Sequence, residues 1–132
     1  MKPVSAKVTR GLQVGTRVKC IDNSGAKEVQ IISVKGYHGV KNRIPGCGVG
    51  SLVVAAVKKG DPKIKHEVVQ AVVVRQSKEY RRPNGMRIKF EDNAVVLVNE
   101  KGEPRGTRIK TPIAKEAVER FSVIGKIATT VI

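Results

Sequence analysis

A chain of 132 residues is long enough to bury a domain core without metal or disulfide staples, and its two cysteines, Cys20 and Cys47, are too few for a disulfide framework. Its 26 lysines and arginines against 11 acids leave a net charge of +15, well beyond what solubility asks, which points to an anionic partner, nucleic acid before an acidic membrane. The longest apolar run, Leu52 to Val57, is too short to cross a bilayer, and MKPVSAKVTRGLQ lacks the apolar core of a secretory signal; with reduced cysteines this favours the cytoplasm.

Residues 1–12 are basic and without a clear period, and read as an arm that orders on contact with a partner. From Arg17 to Asp22, Val18 and Cys20 alternate with Arg17 and Lys19, the pattern of a half-buried strand, and Asp22-Asn23-Ser24-Gly25 then turns the chain. Ala26 to Lys35 is long enough for a bent strand crossing between two parts of a barrel. Residues 36–50 are glycine-rich, carry Lys41 and Arg43, and read as an exposed loop. Gly46, Gly48 and Gly50 precede a strand rather than a helix and no lysine-serine pair follows, so they read as a turn rather than a phosphate-cradling loop. Ser51 to Lys59 is the next strand, closed by Gly60-Asp61-Pro62.

The rest of the chain is organised around residues 71–98. Val68 to Val74 is a run of β-branched residues suited to a buried strand. Arg75 to Lys89 then carries six cations (Arg75, Lys78, Arg81, Arg82, Arg87, Lys89) against one anion, Glu79, a charge of +5 in fifteen residues. Pro83-Asn84-Gly85 supplies the turn of a basic hairpin, and Met86, Ile88 and Phe90 alternate with Arg87 and Lys89 in a returning strand. Glu91 and Asp92 sit in a turn, where they shape backbone, and Ala94 to Val98 is a last strand. Beyond Pro112, Ile113, Ala117 and Phe121 share a helical face, Lys115, Glu116, Glu119 and Arg120 lie mostly off it, and Gly125 interrupts the remaining tail. These elements predict one mainly β domain over 1–132, a small barrel with a protruding basic hairpin, an N-terminal arm (1–12) and a short C-terminal helical region (112–132).

The chemistry in the sequence is that of binding. Cys20, His38, His66 and Cys47 lack the close ligand pairs of a structural zinc site, being separated in chain order by 18, 9 and 19 residues, and no nucleophile has an evident base, so neither metal, cofactor nor enzyme is expected. With no tryptophan, two tyrosines and two phenylalanines, the chain cannot offer a stacking platform for single strands, although Tyr37 and Tyr80 lie in loops where a base could stack or a rim tyrosine could sit. Cations on loops suit the phosphates and shallow groove of folded RNA, and eight neutralised phosphates would give a log-log salt slope of about −6 to −7. The candidates are Arg75, Lys78, Arg81, Arg82 and Arg87 on the hairpin with Lys41 and Arg43 on the glycine-rich loop.

Ala71-Val72-Val73-Val74, nine residues on to Asn84-Gly85, then Phe90, Asn93 and Val96-Leu97, resembles the signature of the universal large-subunit ribosomal protein fourteen family, in its archaeal and eukaryotic branch. The likeness extends to LQVGT (12–16), CIDNSGAK (20–27), VVRQSKEYRRPNG (73–85) and GTRIKTPIAKE (106–116), with Thr111 standing where the family usually has glycine. The resemblance implies a five-stranded β-barrel in the ribosome, bound to large-subunit rRNA through Arg75, Lys78, Arg81, Arg82 and Arg87. It further implies a bridge to small-subunit rRNA, contact with neighbouring ribosomal proteins, and a C-terminal region where a subunit anti-association factor docks; Arg105, Arg108, Lys115 and Arg120 fall there. A free-standing barrel-type RNA-binding or RNA-chaperone module is the alternative reading.

Overall fold

The computed structural model describes residues 3–132; Met1 and Lys2, the start of the expected arm, lie outside them. In chain order the strands are β1 (Leu12–Gln13), β2 (Arg17–Cys20), β3 (Ala26–Val34), β4 (Gly46–Cys47), β5 (Leu52–Gly60), β6 (Val68–Arg75), β7 (Tyr80–Arg81), β8 (Arg87–Ile88) and β9 (Ala94–Val98). Two short helices follow, α1 (Lys115–Arg120) and α2 (Ser122–Ile127). Strands β2, β3, β5, β6 and β9 close a five-stranded barrel in that order. Neighbours are antiparallel except at the seam, where β2 and β9 run parallel with Lys19 opposite Ala94 and Cys20 opposite Val95. The bent crossing strand is β3, which pairs with both β2 and β5 and shifts register at three points along β5.

Burial explains two kinds of strand pattern. In β5 the core residues Val53, Ala55 and Val57 alternate with half-buried neighbours, as a strand with one dry face should. In contrast, β6 and β9 are apolar at almost every position because both of their faces are covered. Val69, Ala71, Val73, Val95 and Leu97 fill the barrel. Val72, Val74, Val96 and Val98 point the other way, into a second apolar cluster capped by Ile109, Ile113, Ala114, Ala117 and Ile124 from the C-terminal segment. The helical region is thus a lid over the outer face of β6 and β9.

Several local expectations change. The arm does not wait for a partner: Lys7 N–H donates to Arg81 O at 3.2 Å and Val8 packs against the second cluster. Its last expected residue, Leu12, is buried in β1, which pairs with β4. The loop of residues 36–50 is accordingly exposed only in its first part, and Cys47 and Val49 are core residues. Gly48 has a spatial reason, since a Cβ there would stand 2.6 Å from Val8 Cγ1 and 2.7 Å from Thr9 O. The returning strand after the turn is confined to Arg87–Ile88, with Met86 exposed. The helix starts at Lys115 rather than Pro112, because Ile113 is held extended in a bridge to Val131. It breaks at Phe121 rather than at Gly125, which lies inside α2 against Val118.

Thr111 sits outside the left-handed region, so its side chain imposes no backbone strain, but its hydroxyl is buried without a hydrogen-bond partner. Thr111→Val keeps the shape and removes that orphaned group. We expect urea unfolding to show a neutral change or a gain of up to about 1–2 kcal/mol; a clear loss would mean the hydroxyl is satisfied.

Candidate nucleic-acid interface

The basic hairpin is built by β7 and β8, with Tyr80 opposite Ile88 and Arg81 opposite Arg87. Its turn closes as the sequence requires. Gly85 takes φ of 88° and donates to Arg82 O at 2.9 Å, while Asn84 Oδ1 accepts from Met86 N–H at 2.9 Å. The tip stands in solvent, but the root is anchored. Tyr80, a candidate base-stacking or rim residue, is instead fully buried and donates its hydroxyl to Glu116 at 3.0 Å. Arg82 donates to both carboxylate oxygens of Glu116, at 2.7 and 3.2 Å, and to the Ile132 main-chain oxygen at 2.6 Å. Glu116, placed off the buried helix face by the periodicity, has no exposed surface because it is the counter-charge for Arg82.

Arg75 is likewise an internal residue. Its guanidinium faces both oxygens of Asp92 at 3.1 Å and donates to Pro112 O at 3.3 Å, with only 8 % of the residue exposed. Asp92, read in the sequence as shaping a turn, therefore balances a buried charge instead. Two of the seven residues expected to meet rRNA, Arg75 and Arg82, thus have their charge paired inside the fold. What faces out from Arg75 to Lys89 is Lys78, Arg81, Arg87 and Lys89 with Glu79, a charge of +3 rather than +5. Arg87 leans on Glu79 at 3.6 Å with both side chains well exposed, a weak pairing that a phosphate can displace. Lys41 and Arg43 are exposed on their loop, and neither they nor Lys78 and Arg81 has an acidic partner among the described residues.

The second group of candidates is spread over the C-terminal third. Arg105 sits 3.6 Å from Glu67. Arg108 is exposed on a segment held by Asn23, whose Oδ1 accepts from Thr107 N–H at 2.8 Å and Arg108 N–H at 3.3 Å. The CIDNSGAK and GTRIKTPIAKE stretches thus dock on one another. Lys115 is exposed at the start of α1, next to Glu116, so the hairpin and this region meet at the Arg82–Glu116 pair. Arg120 is half-buried, its Nε without a partner.

Sequence reasoning misses Gln76, which is fully buried: its amide donates to Thr9 O at 3.0 Å and Lys78 O at 2.8 Å and accepts from Val49 N–H at 2.9 Å. It ties arm, loop and hairpin together. Its place two residues beyond the apolar run Ala71 to Val74 is the available signal. Asp22 reads in the sequence only as turn chemistry, yet it accepts from Leu97 N–H at 3.1 Å, Ser24 Oγ at 2.6 Å and the Cys20 thiol at 3.1 Å, fastening the turn to β9.

No three His, Cys, Asp or Glu among the described residues are grouped to hold a metal, and no helix is long and apolar enough to cross a membrane. Burial, with the Asp22 carboxylate beside it, pushes the Cys20 thiol up to about 12; burial pushes Cys47 to about 11; burial and then Glu116 push Tyr80 to about 12. All three folded values lie above the ordinary ones, so their neutral forms support the fold fully below about pH 9 and that support is lost as pH rises towards 12. Urea midpoints should accordingly hold steady to about pH 9 and then fall, with Cys47→Ala flattening the first part of the decline; midpoints that rise above pH 9 would contradict the assignment.

Fold and rim together define the class: a small, strongly basic β-barrel protein with unpaired cations on its loops. The model of the family described as ribosomal protein L14p/L23e matches residues 11–132. The chain is 56 % identical to the large ribosomal subunit protein uL14 of Methanocorpusculum labreanum and 51 % identical to that of Halorubrum lacusprofundi, each over 132 residues and the full length of both chains. It belongs to this ribosomal protein family, whose members are structural proteins and not enzymes.

Proposed function

We propose that this chain, by its family a structural constituent of the large ribosomal subunit in the cytoplasm, holds large-subunit rRNA through the cations its own fold leaves unpaired or weakly paired: Lys78, Arg81 and Arg87 on the hairpin with Lys41 and Arg43 on the loop. The observation that carries this reading is the division of labour among the arginines. Arg75 and Arg82 are neutralised inside, while the exposed cations sit on tethered loops with few acids near them. Fixed charges of this kind bind phosphates by releasing counterions, without making or breaking a bond.

A second surface, Arg108 and Lys115 with Arg105 and Arg120, faces the small subunit in this proposal, contributing to an inter-subunit bridge with small-subunit rRNA or docking an anti-association factor. Neighbouring ribosomal proteins cover part of the remaining surface. Sucrose-gradient sedimentation tests the first proposal: the protein should stay with large subunits through a high-salt wash, whereas release would favour a free-standing RNA-binding or chaperone module. Arg108→Ala with Lys115→Ala should leave large-subunit assembly intact and weaken subunit joining; unchanged joining would remove this surface from the bridge.

A further inference from the structure

Two cations outside the candidate set, Arg10 and Lys35, meet Arg120 at one place. Together with Tyr37, Gly46 and Ser51 they line a cleft of ≈ 240 Å³ where the arm, the start of the loop of residues 36–50 and the end of α1 converge. No acidic residue lines it, and none of the three cations is within ion-pair distance of an acid among the described residues. Two of the lining residues also carry an unused donor: the Tyr37 hydroxyl and Arg120 Nε are both buried without a hydrogen-bond partner. Three cations drawn together from segments far apart in sequence repel one another, and the unpartnered Tyr37 hydroxyl and Arg120 Nε add a desolvation cost; an anion seated there would offset both. The space is below the roughly 300 Å³ typical of small-molecule pockets, which suits a single phosphate group rather than a metabolite.

We infer that this cleft receives one phosphate group of a polynucleotide, held by Arg10, Lys35 and Arg120 and hydrogen-bonded by the Tyr37 hydroxyl. The inference rests on the RNA-binding reading for the source of the phosphate, and it sets a contact apart from the hairpin.

The test is to follow the backbone amides of Gly36, Tyr37, Gly46 and Ser51 by NMR in the full-length chain. Inorganic phosphate and a short single-stranded RNA are titrated separately, at low salt. Both should shift these amides. Tyr37→Phe, which keeps the ring, should weaken the RNA affinity read from these shifts about tenfold, as loss of a hydrogen bond to a charged group does. Because Arg120 is half-buried and its replacement could disturb folding, the exposed Lys35→Gln is the second variant, and should lower the magnitude of the oligonucleotide salt slope by about 0.7. Shifts with inorganic phosphate alone would overturn the polynucleotide assignment, and no shift with either ligand would overturn the site. If RNA bound elsewhere on the chain while these amides stayed still, the cleft would fail and the hairpin reading would survive. If RNA did not bind at all, that reading would fail, and the inference of a polynucleotide phosphate with it, even where inorganic phosphate marks the cleft.

Discussion

Replacing Arg82 by alanine should cost the protein about 3–5 kcal/mol, the penalty for leaving a buried carboxylate without its partner. Glu116 has no exposed surface, and the cation that pairs with it is Arg82, whose side chain is 11 % exposed. The same substitution takes one of two donors from the Ile132 main-chain oxygen, which still accepts from Lys115 N–H, and removes a second polar partner from the Tyr80 hydroxyl. Against a total of about 5–15 kcal/mol for a typical domain, this is a large fraction, so melting should fall by roughly 10–20 °C. Arg82→Lys should recover little, because an ammonium cannot serve the carboxylate and the main-chain oxygen with a planar fork. By contrast, the triple change Tyr80→Phe, Arg82→Met and Glu116→Leu removes every member of the network and should recover most of the loss. Urea and thermal unfolding of the four proteins check this. A wild-type melting curve from Arg82→Ala would show that Arg82 is not holding the hairpin root.

Binding to large-subunit rRNA should depend on salt with a slope near −4. Five cations remain for phosphates once Arg75 and Arg82 are set aside, and about 0.7–0.9 of a counterion is released per phosphate neutralised. Raising salt from 50 to 200 mM should then weaken binding by about 250-fold. Lys78→Ala with Arg81→Ala, both exposed and unpaired, should reduce the slope by about 1.4–1.8 and leave the melting temperature unchanged. Fluorescence anisotropy across a salt series reads both numbers. An unaltered slope in the double variant would take the hairpin out of the interface, and a slope near −7 would mean that cations beyond these five engage.

Arginines that the sequence alone cannot tell apart are separated by these two results. Arg81 and Arg82 are neighbours in one charge run, yet one faces solvent and the other a carboxylate 34 residues away. Periodicity locates the barrel strands because β2 and β5 alternate, and the nearly continuous apolar runs in β6 and β9 mark their burial on both faces. It fails where long-range partners decide the outcome. Helical spacing puts Glu116 off the buried face because it carries no information about Arg82. The glycine-rich loop reads as exposed because nothing near Cys47 reveals that Leu12 pairs with it. Tyr80 sits in a polar stretch, and only the closure of the C-terminal lid buries it. The cleft between Arg10, Lys35 and Arg120 is illegible for the same reason, as its walls come from segments far apart in the chain.

The most direct measurement is lysine reactivity towards an acylating reagent, read by mass spectrometry in the free chain, the large subunit and the joined ribosome. Lys41 and Lys78 should react in the free chain and be protected in the large subunit, while Lys115 should stay reactive there and become protected only on subunit joining. Lys41 and Lys78 remaining fully reactive within the large subunit would contradict the claim that the cations left unpaired by the fold are those that hold RNA.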